Sequence, residues 1–127
     1  MNIKIEKASR KAIPLLAMLY GRSGSGKTYS ALRLAKGLAG EKGKICVIDS
    51  ENGRSSYYAN DFDFDVINLE PPYTPARYEQ AFKAVEKAGY DVVVIDSISQ
   101  VWEGKGGCLD MAEAEQVKNY NRPGLGS

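Results

Sequence analysis

The sequence predicts an α/β fold in which helices cover both faces of a parallel sheet, giving three layers. One observation is alternation, because short apolar runs are separated by segments with helical periodicity. A second is the glycine-rich segment Gly21–Thr28, which lies between an apolar run and a helical pattern. A third is Val92–Asp96, where consecutive β-branched residues are typical of a strand covered on both sides. Together they predict parallel strands joined by right-handed helical crossovers.

The first half of the chain predicts a strand, a helix and a second strand. Leu15–Tyr20 is a short apolar run that predicts a strand buried on both faces. Small and apolar residues at helical spacing predict a helix over Lys27–Ala39, which Gly40 can end. Lys44–Asp49 predicts a strand that ends in polar residues, and Gly53–Asn60 predicts a loop or a short helix.

The second half predicts two more strands and two more helices. Phe64–Leu69 alternates enough to predict a short strand. Thr74 and Pro75 are a typical N-cap and first-turn pair for a helix that continues to Ala88. The strand Val92–Asp96 follows, then a helix over Leu109–Lys118 and a loose tail over Asn121–Ser127.

The composition fits one domain over residues 1–127 and excludes several kinds of site. The chain has no histidine, so acid–base catalysis and metal binding by histidine are excluded. Its net charge of +1 gives no global basic field that would indicate nucleic acid. Its two cysteines lack metal-ligand spacing. We expect a reduced, cytoplasmic setting for the chain. We also expect no membrane association, because no apolar stretch approaches the length of a membrane span.

The glycine-rich segment has the pattern G-x-x-x-x-G-K-[ST], which is typical of loops that bind nucleotide phosphates. The predicted phosphate-binding residues are Gly21, Arg22, Ser23, Gly24, Ser25, Gly26, Lys27, Thr28 and Tyr29. The glycines can take positive φ, so that backbone N–H groups point inward at an anion. The helix that follows directs its free N–H groups at the same anion. Lys27 would reach the β- and γ-phosphates, and the Thr28 hydroxyl would bind Mg²⁺.

Two carboxylates complete the predicted site, because the carboxyl ends of parallel strands meet at one edge of a sheet. Asp96 ends an apolar strand, and we expect it near Mg²⁺. Glu51 follows the second strand and could orient or deprotonate the attacking water, although its position fits a solvated loop residue equally well. Asp49 is better interpreted as structural. Ser97 could bond the γ-phosphate or Asp96, or cap the next turn.

The span Lys44–Ser99 resembles the core of RecA-type recombinases, in which a strand ends in Asp-x-Glu and a later one in Asp-Ser. Here these pieces are Asp49–Glu51 and Asp96–Ser97. The resemblance implies a RecA-like P-loop NTPase that binds ATP and Mg²⁺ and releases ADP, with Glu51 activating the hydrolytic water. It is strongest to phage-type ATPases, some of which assist single-strand annealing in recombination. Tyr29 departs from the family, which usually has a small polar residue there.

The resemblance also implies that the sheet is incomplete at the C-terminus. In RecA-type sheets, the strand after the acidic motif lies between the glycine-loop strand and the Asp96 strand, and it would follow Ser127. We therefore expect residues 1–127 to be the N-terminal part of a larger RecA-like core. We expect single-stranded DNA to contact parts beyond this chain, and open sheet edges to favour homo-oligomers.

Other functions of a phosphate-binding loop stay open from the sequence. A small-molecule kinase usually has an arginine-rich lid, and the arginines here do not cluster. A partitioning-type ATPase has a lysine where this chain has Arg22. A nucleotide-binding fragment without turnover is a further alternative. The absence of a guanine-recognition motif favours ATP, and Tyr57, Tyr58 and Tyr73 are candidates for stacking on the base.

Overall fold

A parallel three-stranded sheet forms the centre of the fold. The computed structural model describes residues 3–8, 15–22 and 24–120. The elements, in chain order, are α1 (Lys27–Ala39), β1 (Ile45–Asp49), a 3₁₀ helix (Arg54–Tyr58), β2 (Asp65–Asn68), α2 (Pro75–Ala88), β3 (Val92–Asp96), α3 (Ser99–Glu103) and α4 (Cys108–Tyr120). The strand order is β2-β1-β3, and β1 pairs in parallel with both neighbours. The predicted α/β fold with a parallel sheet is confirmed.

The strand register places the carboxyl ends of all three strands at one edge of the sheet, the carboxyl rim. Asp49 at the end of β1 is the register partner of Asn68 in β2 and of Asp96 in β3. The apolar run Ile45–Ile48 in β1 is explained by its central position, since all five residues of the strand are buried.

Helices cover both faces of β1. Its residues Cys46 and Ile48 pack with α2, which buries Tyr78 and Val85 in the same core. Side chains alternate along a strand, so the fully buried Val47 faces the opposite side. There α1 packs against β3 and β1 and buries Leu32 and Ala35. Full burial of a large aliphatic side chain such as Leu32 or Ile48 stabilises the fold by about 1.5–3 kcal/mol.

The ends of α2 follow the sequence prediction. The Thr74 hydroxyl accepts a hydrogen bond from the backbone N–H of Arg77 at 3.3 Å, and Pro75 occupies the first turn. Gly89 ends the helix at φ 79°, a left-handed conformation that glycine adopts without steric cost.

The prediction of a strand over Leu15–Tyr20 is wrong. These residues have no regular secondary structure, and Leu16 and Tyr20 are 98% and 90% exposed. A strand requires a neighbour for its backbone N–H and C=O groups. Within residues 3–8, 15–22 and 24–120, the sheet contains only β1, β2 and β3, and none of them pairs with this segment.

Other differences concern short elements and ends. The segment expected to be a loop or a short helix contains the 3₁₀ helix, and the last predicted helix extends over Cys108–Tyr120. The five-residue helix α3 was not predicted. The predicted tail over Asn121–Ser127 lies outside the described residues.

Candidate functional site

The glycine loop leads directly into α1. Gly24 and Gly26 have φ of 79° and 87°, which is the left-handed region that favours glycine. Gly26 is the N-cap of α1, and no side chain caps the first turn. That turn also has no acidic residue. The free N–H groups and the positive end of the helix dipole therefore remain available to an anion.

Lys27 folds back over the loop. Its Nζ donates a hydrogen bond to the carbonyl oxygen of Gly21 at 2.7 Å. A Cβ at Gly21 would lie 2.8 Å from Ser25 Oγ, so a larger residue there would displace the Ser25 hydroxyl. A lysine ammonium has three donors, which leaves two for phosphate oxygens.

Thr28 and Asp96 join the loop to the carboxyl rim. Thr28 Oγ1 donates to Asp96 Oδ2 at 2.8 Å, although the two residues are 68 positions apart. The bond connects the first turn of α1 with the end of β3. The two residues predicted to bind Mg²⁺ thus lie in direct contact.

Asp96 is in surroundings that disfavour its charge. Burial raises the pKa of its carboxyl above the ordinary value of 3.8, and the Thr28 hydrogen bond opposes that rise. The carboxylates of Asp49 and Glu51 raise the pKa further, whereas the Arg54 guanidinium lowers it. A cation beside Asp96 would offset this cost of ionisation.

These oxygens fit a magnesium ion that is shared with a nucleotide. Within the described residues, no three acidic or cysteine side chains cluster as a protein-only metal site. Mg²⁺ is usually held by one or two protein oxygens together with substrate phosphates. The Thr28 hydroxyl and the Asp96 carboxylate are oxygens of that kind, and they lie beside the phosphate-binding loop.

Glu51 lies on the carboxyl rim with one carboxylate oxygen held by two donors. Its Oε1 accepts from Ser97 Oγ at 2.7 Å and from Gln100 Nε2 at 3.4 Å. Ser97 was expected to bond a phosphate or Asp96, or to cap a turn, and its hydroxyl instead bonds Glu51. No sequence pattern indicated a role for Gln100, because it depends on where α3 packs.

Asp49 holds the segment that contains Glu51. It is 1% exposed, and its Oδ1 accepts from the backbone N–H of Glu51 at 2.7 Å. Its Oδ2 accepts from the backbone N–H of Ser55 at 2.9 Å and from the Ser55 hydroxyl. The structural interpretation of Asp49 agrees with these bonds, since both of its oxygens have protein donors.

The remaining loop residues have different surroundings. Arg22 and Ser25 are exposed, and the carbonyl of Arg22 accepts from the N–H of Ser25 at 3.1 Å. Ser23, which was also predicted to bind phosphate, lies outside the described residues. The Tyr29 ring packs edge-on against Phe62 and Tyr58, at centroid distances of 5.3 and 5.9 Å. Its departure from the family pattern thus gives α1 an aromatic contact.

The three tyrosines considered for base stacking differ in exposure. Tyr73 is 7% exposed and lies in the core with α2, so it cannot stack on a base. Tyr57 is 83% exposed and packs edge-on against Tyr58. Neither the bond between Ser97 and Glu51 nor the burial of Tyr73 had a signal in the local sequence.

Comparisons with known proteins agree with this arrangement. A sequence profile described as "AAA domain" matches residues 13–122. Protein RecA of Clostridium botulinum strain Eklund 17B (Type B) is 31% identical to this chain over 84 residues. Protein RecA of strain Alaska E43 (Type E3) shows the same identity over the same length.

These relatives are much longer than the part that matches. The alignment covers 64% of this chain and 24% of each RecA protein. No solved structure matches the chain significantly. Among the residues that the structure describes, no helix combines the length and the apolar character needed to cross a membrane.

Proposed function

The chain belongs to the AAA domain family of P-loop ATPases, and from this premise we propose that it binds Mg²⁺-ATP at the carboxyl rim and hydrolyses it. The observation that carries the proposal is the 2.8 Å bond between Thr28 and Asp96. It brings the helix after the glycine loop into contact with the acidic end of β3. Glu51, beside them on the rim, supplies a carboxylate for the hydrolytic step.

Each part of the site has a proposed task. Backbone N–H groups from Gly21 to Tyr29 hold phosphate oxygens, and Lys27 neutralises part of their charge. Thr28 and Asp96 hold Mg²⁺, which, when bound, neutralises charge on the β- and γ-phosphates. Lys27 also has a catalytic task, because its ammonium stabilises the charge that develops on the transferred phosphoryl group.

Glu51 acts as the base in this proposal. Its Oε1 already accepts two hydrogen bonds. Within the described part of the chain, Oε2 accepts none, which leaves it to orient a water and take its proton. The water then attacks the γ-phosphorus, so that ADP and phosphate are the products.

We further propose that the ATPase supports DNA recombination or single-strand annealing in the cytoplasm, in a phage or bacterial setting. The support is the RecA-type pattern at Asp49–Glu51 and Asp96–Ser97, and the similarity to Protein RecA. We place single-stranded DNA on parts outside residues 1–127, which have a net charge of only +1. In this proposal the chain is the N-terminal part of a larger RecA-like core that forms homo-oligomers.

Steady-state phosphate release from ATP tests the proposed reaction. We expect Glu51→Gln to bind Mg²⁺-ATP like the wild type and to lose about 100-fold or more in kcat, because a general base contributes about that much. Glu113→Gln on the exposed helix α4 is the matched control and should keep the wild-type rate.

Two results would change the proposal. A wild-type protein that binds Mg²⁺-ATP without releasing phosphate would be a nucleotide-binding module. Turnover of a full-length protein that is equal with and without single-stranded DNA would remove the recombination part and leave the ATPase.

A further inference from the structure

We infer that Ser97, assisted by Gln100, is a positioning residue that holds the Glu51 carboxylate for the hydrolytic step. This inference rests on the proposed function and names the residues through which Glu51 is oriented. Ser97 lies in the segment that joins β3 to α3, and Gln100 lies in α3, 46 and 49 positions after Glu51.

Both donors bond the same oxygen of Glu51. The Ser97 bond is 2.7 Å long and the Gln100 bond is 3.4 Å long, so Ser97 provides the stronger restraint. Because both donors bond Oε1, they restrain that oxygen, and no donor among the described residues occupies Oε2. A hydrogen bond to an ionised carboxylate is also stronger than one between neutral groups.

The Ser97 backbone is itself held in place by buried side chains. The Ser97 N–H donates to Ser50 Oγ at 3.1 Å, and the Ser50 hydroxyl donates to the Ser97 carbonyl at 3.0 Å. The Tyr78 hydroxyl donates to the same carbonyl at 3.3 Å. Ser50 and Tyr78 are 1% and 3% exposed, so the Ser97 backbone is fixed from inside the fold to the residue that follows β1 and to α2.

Such a restraint matters for a glutamate. Its side chain has three rotatable bonds and Glu51 is only half-buried, so without a partner it would sample several rotamers. A general base must lie within hydrogen-bond reach of its water in a defined orientation. Ser97 therefore affects the rate through Glu51, without contacting substrate.

A double-mutant cycle on the full chain, with Mg²⁺-ATP as substrate, tests this inference. We expect Ser97→Ala to lower kcat about tenfold, in line with the loss of one hydrogen bond to a charged group. The KM for ATP should stay within about twofold, because Ser97 is not placed to touch the nucleotide. Ser97→Thr keeps a hydroxyl and should retain most of the rate.

The cycle separates positioning from other roles. In a Glu51→Gln background, Ser97→Ala should cause no further loss, because residues that act as a unit are not additive. Gln100→Ala should lower kcat less than Ser97→Ala, given its longer bond. Ser56→Ala changes an exposed serine on the 3₁₀ helix and should leave kcat unchanged.

Four outcomes would overturn the inference, the last of them only where Ser97→Ala does not fold. Wild-type kcat in Ser97→Ala, with Glu51→Gln inactive, would reject the positioning role and leave the proposed function intact. Additive losses in the cycle would mean that Ser97 acts elsewhere. Wild-type turnover in Glu51→Gln would reject the proposed role of Glu51 and the inference together. If thermal melting shows Ser97→Ala to be unfolded, the folded Gln100→Ala variant decides, and an unchanged kcat there would contradict the inference.

Discussion

The Asp96 carboxylate is predicted to bind a metal ion, and its ionised form lowers the stability of the folded chain. It lies partly buried at the end of β3, near two other carboxylates. Burial raises its pKa in the folded state above the ordinary value of 3.8. The contribution of this carboxyl group to the free energy of unfolding is therefore fully present below pH 3.8, and it is lost as the pH rises through the folded-state pKa.

We predict that Asp96→Asn raises the melting temperature in metal-free buffer at pH 7 by about 2–5 °C. The substitution removes the charge of a partly buried group and keeps an oxygen that accepts the Thr28 hydrogen bond. The difference should shrink as the pH falls towards 4. Thermal unfolding between pH 4 and 8 measures it. Asp61→Asn, at an exposed position, is the control. A less stable Asp96→Asn variant at pH 7 would contradict this account of the site.

The sequence predicts the types of residue in the site better than their contacts. Gly24 and Gly26 take the positive φ that the loop pattern requires, and Thr28 meets Asp96. The partner of Ser97 could not be predicted, because a hydroxyl at the end of a strand has several acceptors within reach. Choosing among them depends on the Glu51 rotamer, which sequence patterns do not encode.

At the scale of elements, the segment between β1 and the 3₁₀ helix is fixed by one buried carboxylate. Asp49 accepts hydrogen bonds from the Glu51 N–H, from the Ser55 N–H and from the Ser55 hydroxyl. Ser55 is fully buried. These bonds hold Glu51 on the carboxyl rim, so the stability and the site geometry of this segment are linked.

We predict that Ser55→Ala lowers the free energy of unfolding by about 1–3 kcal/mol, because a buried carboxylate oxygen loses one of its donors. Urea denaturation measures the change. Ser56→Ala removes a hydroxyl from the neighbouring, exposed position and should change stability by less than about 0.5 kcal/mol. Equal effects of the two substitutions would show that the Asp49 bonds do not hold this segment.

The helices and the three strands of the sheet could be predicted from the sequence, whereas the lack of a partner for Leu15–Tyr20 could not. The helix Lys27–Ala39 and the end of α2 at Ala88 agree with the predicted bounds because caps and glycines mark them. Leu15–Tyr20 has the composition of a buried strand but no sheet partner in the described chain. Local composition does not reveal whether a neighbouring strand is present.

At the scale of the whole molecule, the strand order explains how distant residues form one site. β1 lies between β2 and β3, so the segments after β1 and β3 meet at the carboxyl rim. The sequence predicted that rim from the general rule for parallel sheets, whereas the order of strands required the structure. The exposure of Leu16, and of Leu38 on α1, leaves apolar surface available for association.

We propose that the glycine loop holds the phosphates of Mg²⁺-ATP, and calorimetric titration of Mg²⁺-ATP into the protein measures this binding. We predict one site in the wild type. Its affinity should fall by about 10- to 100-fold in Lys27→Ala, which removes a charged donor to the phosphates. Lys36→Ala, in the last turn of the same helix, should bind like the wild type. Wild-type affinity in Lys27→Ala, or no binding of Mg²⁺-ATP by the wild type, would contradict the claim.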